Sequence, residues 1–342
     1  MGYQIDLESI ENKVDFSNLK RHELRPAKNL KSIFNDIRNY LAGNVTGITR
    51  DETLAQQSIN VLFCKIYDEY NTEENEVVTF RAGKSESDII IHERIEKLFK
   101  KVKSAYKDVF STEDKLLLDP KSLAYIIKKL QAYSITAASR EAIGEAFELF
   151  IGHALKGAEG QFFTPKNVVD MTINILDPKI EDKLIDPACG SGGFLASALV
   201  YLSKKGKINS MHTIKGIDKD RFLVRVTSAY LALIGNGKDS IFCENSLEDP
   251  AKWDKKISEK VSLEQFDIVV TNPPFGSRIP INDKLILSKY ELGHVWTKND
   301  DERWTRTSEL QSYQPPQVLF IERCLNLLKP GGINEFIFNF RV

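Results

Sequence analysis

Two stretches of the chain bring together residue types that chemistry needs. The aliphatic run Phe266–Val270 ends in Thr271 and then Asn272-Pro273-Pro274-Phe275, a sequence that can neither continue a strand nor open a helix cleanly. Pro273 and Pro274 lack N–H donors and fix φ at about −65°, so the loop is rigid and rich in acceptors. Asn272 offers a side-chain oxygen, the Pro273 carbonyl a second acceptor, and Phe275 a flat apolar face. Two acceptors beneath a stacking face suit an exocyclic amine. Each takes one amine hydrogen, and the nitrogen lone pair is left aimed at an electrophile. Stacking of a base on an aromatic ring adds roughly 1–3 kcal/mol.

The second stretch is Asp186-Pro187-Ala188-Cys189-Gly190-Ser191-Gly192-Gly193, which follows the apolar pair Leu184-Ile185. Its glycines admit close approach of a ligand to the backbone, and the helix start that follows presents N–H groups. A phosphate-binding P-loop needs Gly-Lys-Ser/Thr, and no lysine is present here. The acid ahead of the glycines repels a pyrophosphate and suits a cation. Asp218, at the end of the next strand-like run, is placed to accept ribose hydroxyls. Glu244-Asn245-Ser246 end a third run and can border an adenine ring. A positively charged nucleoside without phosphates satisfies all of these, and S-adenosylmethionine is such a molecule. Cys189 has no base beside it in the sequence and reads as packing.

Alternating strands and helices must position these loops. Apolar runs before Asp186, Asp218, Glu244 and Asn272 alternate with helical patterns at 194–206, 221–237 and 318–330. That alternation predicts a doubly wound parallel sheet with its ligand site at the carboxyl ends of the strands. The first 155 residues read instead as helical, with Leu30, Ile33, Phe34, Ile37 and Leu41 on one face and further helices at about 53–70, 88–110, 120–133 and 140–155. Thr49–Glu52 has capping-box form. The expected fold is therefore α/β: a helical N-terminal domain, 1–155, and a Rossmann-like domain, 156–342.

Composition sets outer bounds. The 342 residues carry 47 Lys+Arg against 48 Asp+Glu, a net charge of −1, so any nucleic-acid surface is local or supplied by a partner. Four scattered cysteines without ligand spacing argue against disulfides and structural zinc, and no metal is expected. No stretch approaches the ~18 apolar residues of a membrane span, which points to a cytoplasmic protein.

The motifs "EGQFFTPKNVVDMTINIL", "DPACGSGGFL", "NPPFG" and "LLKPGG", in this order, resemble the amino-group DNA methyltransferases, and within them the modification subunits of type I restriction-modification systems. The resemblance implies N6 methylation of an adenine flipped out of double-stranded DNA, with S-adenosylmethionine as donor. Gln161, Phe162, Phe163, Thr164, Pro165 and Lys166 would line the cofactor pocket. Asp186, Ala188, Gly190, Ser191, Gly192 and Gly193 would hold the amino-acid moiety. Asp218 would take the ribose, and Asn245 and Ser246 the adenine. Asn272, Pro273, Pro274 and Phe275 would grip the target base. The family often has aspartate where Glu244-Asn245 stands. The resemblance also implies a separate specificity subunit, a restriction subunit and two modification subunits per complex. Relative to the family the chain stops early, so the last strands of the sheet are expected to be missing. The fifth strand is then expected to be an apolar edge, and the chain alone to bind cofactor weakly and transfer little methyl. Two other readings fit parts of the pattern: a methyltransferase of the same fold acting on RNA or on protein glutamine, and an inactive module that only binds DNA or a partner. The polar stretch 276–316, with its Arg, Lys and Trp residues, is expected to fold over the site and touch DNA.

Overall fold

The computed structural model describes residues 15–27, 29–48, 50–107, 109–140, 142–147, 164–206, 213–235, 239–275 and 280–336. The chain divides into two compact units, 1–157 and 158–342.

The first unit is built from α1 (Leu30–Asn44), α2 (Asp51–Asn71), α3 (Asp88–Ala105) and α4 (Pro120–Leu130). Residues β1 (Arg25–Pro26) and β2 (Tyr133–Ser134) form a minimal parallel pair. The five apolar residues expected on one face of α1 are all buried. Ser87 and Asp119 cap α3 and α4 by accepting from Ile90 and Ser122 amides. Arg50, not Thr49, is the residue that precedes α2, and its side chain makes no cap; Thr49 lies outside the described residues. Helix α2 is more deeply buried than an amphipathic helix, and carries charge inward. Glu69 accepts from Ile135 and Thr136 amides and from both the Ser134 and Thr136 hydroxyls, with Lys65 Nζ 3.4 Å away. Burial alone would raise the Glu69 carboxyl; Lys65 and these donors outweigh it and hold it below its usual range. Of the helix expected over 140–155, residues 142–147 are helical, and those beyond 147 lie outside the described residues.

The second unit carries the sheet. Helix α5 (Lys166–Leu176) leads to β3 (Leu184–Asp186), α6 (Gly193–Lys205), β4 (Ile214–Asp218), α7 (Arg221–Gly235), β5 (Ile241–Cys243) and β6 (Phe266–Thr271). An antiparallel hairpin, β7 (His294–Lys298) and β8 (Trp304–Leu310), precedes α8 (Pro316–Leu327) and β9 (Leu328–Phe336). Five strands form one parallel sheet in the order β5-β4-β3-β6-β9. Chain order runs outward from β3 to β5 on one side and then returns to β6 and β9 on the other. The switch therefore falls between β3 and β6, where ligands enter α/β sheets. Ile185, Ile217, Val269 and Phe242 from the strands pack with Leu319, Phe320, Cys324 and Leu327 of α8.

The Lys329–Gly332 turn proves to be a bulge inside the β6–β9 pairing: Phe266 faces Leu328 and Ile268 faces Ile333. Gly331 adopts φ +81°, and a Cβ on Gly332 would meet the Phe266 and Asp267 carbonyls at 3.0 Å. Among the described residues β9 is one edge of the sheet. Its exposure is mixed rather than uniformly apolar, with Lys329, Pro330 and Gly331 exposed beside half-buried Glu335 and Phe336.

Candidate active site

The carboxyl ends of β3, β4, β5 and β6 open onto a cavity of about 600 Å³, within the range of small-molecule sites. Asp186, Ala188, Gly190, Ser191 and Gly193 of the first loop line it, with Asp218, Asn245, Ser246, Asn272, Pro273, Pro274, Phe275 and Thr164. Residues far apart in the sequence thus share one wall.

Three expected residues do not reach that wall. Pro165 precedes α5 as its N-cap, and Lys166, at the exposed helix start, pairs with Asp170 at 3.1 Å. Gly192 works behind the loop: its φ is +82°, and an added Cβ would sit 2.6 Å from Thr227 Cγ2. Thr227 is fully buried and donates its hydroxyl to the Gly190 carbonyl at 2.6 Å. Glycine here permits helix α7 to brace the loop, which is a packing requirement. Gln161, Phe162 and Phe163 lie outside the described residues.

The first loop is fixed by its own backbone. Cys189 N–H donates to the Ile217 carbonyl at 3.0 Å, and Gly190 N–H donates to Asp218 Oδ2 at 2.9 Å. Asp218 Oδ1 accepts from the Asp220 amide, also at 2.9 Å. Each Asp218 oxygen therefore has one lone pair occupied and one to spare, and the carboxylate is held at a set angle. Burial holds its pKa above the usual carboxylate range. Asp186 is buried and accepts from the Ala188 amide at 3.0 Å. Burial pushes its carboxyl up to about 7, with Asp218 adding to the rise. Burial also raises the Cys189 thiol well above its ordinary range, so it is an inert wall residue.

The third loop is held from behind by three buried donors. Trp253 Nε1 donates to the Asn245 carbonyl at 3.2 Å, and Tyr290 Oη donates to the Leu247 carbonyl at 2.8 Å. Arg323 Nη2 donates to the Glu248 carbonyl at 2.8 Å, while its Nε donates to Tyr290 Oη at 2.9 Å. The Arg323 guanidinium lies 5.8 Å from the Trp253 ring centroid and 5.2 Å from that of Tyr290. Two expected ligand groups face other duties: Asn245 Oδ1 accepts from the Leu247 amide at 3.1 Å, and Ser246 Oγ donates to the Pro187 carbonyl at 2.5 Å. Ser246 ties the first loop to the third.

At the end of β6, Asn272 Nδ2 donates to Thr164 Oγ1 at 2.8 Å. That leaves Asn272 Oδ1, which is buried and has no hydrogen-bond partner among the described residues. A buried acceptor left unpaired is costly and marks a place for a donor.

The cavity's formal charge is acidic. Among the described residues, Asp186, Asp218, Asp220 and Glu244 line it against a single cation, Lys219. That set suits a cationic ligand and opposes a polyphosphate. Phe194, Leu223, Leu247, Ile281, Pro316 and Phe320 supply apolar wall. Several of these stand outside any motif; only the packing of α6, α7 and α8 brings them to the cavity.

The N-6 DNA methylase model matches residues 138–339, more than half of the chain. The chain belongs to this family. It is 34% identical over 194 residues to the MjaIX methylase subunit of a type I restriction enzyme from Methanocaldococcus jannaschii, covering 55% of this chain and 33% of that one. It is 30% identical over 185 residues to the EcoEI methylase subunit of Escherichia coli, covering 51% and 35%. The chain thus spans about a third of the length of those relatives. Its fold is also that of solved type I proteins. A type I restriction-modification methyltransferase subunit from Streptococcus thermophilus matches with a TM-score of 0.52 at 16% identity, covering 90% of this chain and 73% of the other. A type I restriction-modification assembly structure matches with a TM-score of 0.59 at 17% identity, covering 89% and 63%.

Proposed function

We propose that this chain is the methylase subunit of a type I restriction-modification system, transferring a methyl group from S-adenosylmethionine to N6 of adenine in double-stranded DNA. The observation that carries the reading is Asn272 Oδ1, a buried acceptor without a donor among the described residues, on the wall of an acidic cavity at the sheet's switch point. The methylase-subunit names of its relatives support it.

S-adenosylmethionine fits the donor set, and when bound it supplies an electrophilic methyl group on a positively charged sulfur. The spare lone pairs of Asp218 accept the ribose hydroxyls, and the Asn245 loop borders the adenine. Asp186, as a carboxylate, faces the cationic amino-acid end. Asn272 Oδ1 and the Pro273 carbonyl accept the two hydrogens of the target amine, while Phe275 stacks on its ring. The catalytic work is positioning and electrostatics, with no covalent enzyme intermediate. Reaching the base requires its extrusion from the duplex, a few kcal/mol offset by contacts in the pocket. With a net charge of −1, phosphate affinity and sequence choice fall largely to a separate specificity subunit, and a restriction subunit and a second methylase subunit complete the complex. Among the described residues no helix is long and apolar enough to cross a membrane, in keeping with a cytoplasmic enzyme.

Equilibrium dialysis of the 342-residue chain with tritiated S-adenosylmethionine tests the reading. Saturable binding, displaced by S-adenosylhomocysteine and weakened at least roughly tenfold by Asp218→Ala, is expected. Saturable binding of NAD or ATP in its place would overturn it.

A further inference from the structure

The segment between the target loop and α8 is rooted in the cavity wall. Ile281, which lines the cavity, exchanges two backbone hydrogen bonds with Gln314, at 2.8 and 2.9 Å. Between those two residues the chain makes an excursion whose outer part is the β7–β8 hairpin. Gln311 N–H returns to the Gly293 carbonyl at 2.9 Å and closes the hairpin's root.

Cross-strand register sorts its side chains. Trp296 faces Arg306, Thr297 faces Thr305 and Lys298 faces Trp304. Opposed residues share a face and successive residues alternate. Trp296, Lys298, Trp304 and Arg306 therefore lie on one face of the hairpin. The opposite face of this regularly paired segment carries Thr297 and Thr305; Glu309, the only acid within the two strands, lies beyond a register shift. Three more acids, Asp300, Asp301 and Glu302, are confined to the turn beyond the last pair.

The aromatic face is solvated. Trp304 is 63% exposed and Trp296 36% exposed. Lys298 Nζ lies 5.8 Å from the Trp304 ring centroid. Arg306 is held at the root by Glu291, Nε to Oε2 3.0 Å, and the Trp296 indole N–H donates to the Glu291 carbonyl at 2.9 Å. Arg306 Nη1 also lies 3.3 Å from His294 Nε2, and with these contacts the Arg306 side chain is still 43% exposed. A two-stranded hairpin has little stability of its own in water. Two tryptophans on its wet face mark it as a surface for something else.

We infer that this face binds DNA beside the target adenine, with Lys298 and Arg306 at phosphates and Trp296 and Trp304 against sugar or exposed bases. Charge complementarity decides the occupant. Both strand cations sit with the tryptophans, and the opposite face of the paired segment carries only threonines. Aromatic rings interleaved with cations match a nucleic-acid strand. The inference rests on the proposal that the chain acts on DNA, and it adds the surface that holds the duplex.

Fluorescence anisotropy of the 342-residue chain with a labelled 30-base-pair duplex, across a salt series, tests it. Lys298→Ala with Trp304→Ala should weaken binding about tenfold or more and make the log K against log salt slope shallower by about one. Binding of tritiated S-adenosylmethionine and the thermal midpoint should not change. In the wild-type chain the duplex should quench tryptophan emission, less so in Trp304→Ala, because the third tryptophan, Trp253, is buried. Unchanged duplex affinity in the double variant would overturn the hairpin inference alone. Loss of association with a purified specificity subunit in that variant, with duplex affinity intact, would show a protein occupant and overturn it equally. Failure of the wild-type chain to bind any duplex at low salt, both alone and with a purified specificity subunit, would overturn both the inference and the proposal that it acts on DNA.

Discussion

Asn272 donates its side-chain amide to Thr164 Oγ1 across 2.8 Å, joining the end of the fourth sheet strand to the residue two before α5, 108 positions earlier in the chain. This single bond orients the amide so that its oxygen, not its nitrogen, is left for the cavity. Thr164→Val should therefore cost more than one hydrogen bond's net ~1 kcal/mol, because the amide is then free to rotate. In the proposed complex with a specificity subunit, methyl transfer should fall roughly tenfold, and by on the order of 100-fold or more in Asn272→Ala. Steady-state kinetics with tritiated donor measure both. Equal rates for Thr164→Val and wild type would refute the orienting role.

Asp186 carries a pH dependence whose sign follows from its environment. Its carboxyl is raised from 3.8 to about 7, with burial the main cause. Between about pH 4 and 7 the folded chain keeps a proton that the unfolded chain has lost. Stability from this group is full below pH 4 and declines as pH rises to about 7. Binding a cation runs the opposite way, since it needs the carboxylate. Affinity for S-adenosylmethionine should rise from pH 6 to 8, with proton release near pH 6.5. Calorimetry in two buffers of different ionisation enthalpy reads the proton, and Asp186→Asn should abolish it. Identical heats in both buffers for the wild type would contradict the assignment.

Arg323 is a positioning residue that touches no ligand. Arg323→Met removes the donor to the Glu248 carbonyl and leaves that group and the Tyr290 oxygen short of a partner, a loss of about 1–3 kcal/mol. Lysine cannot replace the planar fork between Trp253 and Tyr290. Both variants should lower the thermal midpoint and raise the dissociation constant for S-adenosylmethionine, through the loop that carries Asn245. Tyr290→Phe should be non-additive with Arg323→Met in a double-mutant cycle. Additive effects would mean that the two do not act on the loop as one unit.

Local pattern made much of the second unit readable in advance. Asp186, Asp218 and Asn272 each end an apolar run, and the geometry that brings them together is set by a parallel sheet whose strands all point one way. What escaped the sequence was set by packing between distant segments. Gly192 looks like a ligand glycine, and only its 2.6 Å approach to Thr227 reveals a helix contact. Lys166 adjoins the Thr164 motif, but the helix turns its side chain towards Asp170. Phe320 and Arg323 sit on an ordinary amphipathic helix, and nothing local distinguishes the cavity wall from the loop brace. The β7–β8 hairpin was hidden because its strands are short, polar and wet, so they lack the apolar alternation that marks a half-buried strand. Lys65 and Glu69 show the same limit in the first unit: nothing local marks these two charges as buried against each other.

The central claim is that Asn272 presents an acceptor to the N6 amine of adenine in DNA. Mapping N6-methyladenine across the genome of the native host tests it most directly, comparing the intact gene, its deletion and a chromosomal Asn272→Ala codon change. A recurring methylated sequence is expected that disappears in both altered strains while the Asn272→Ala protein still accumulates. Persistence of that methylation in the Asn272→Ala strain would contradict it.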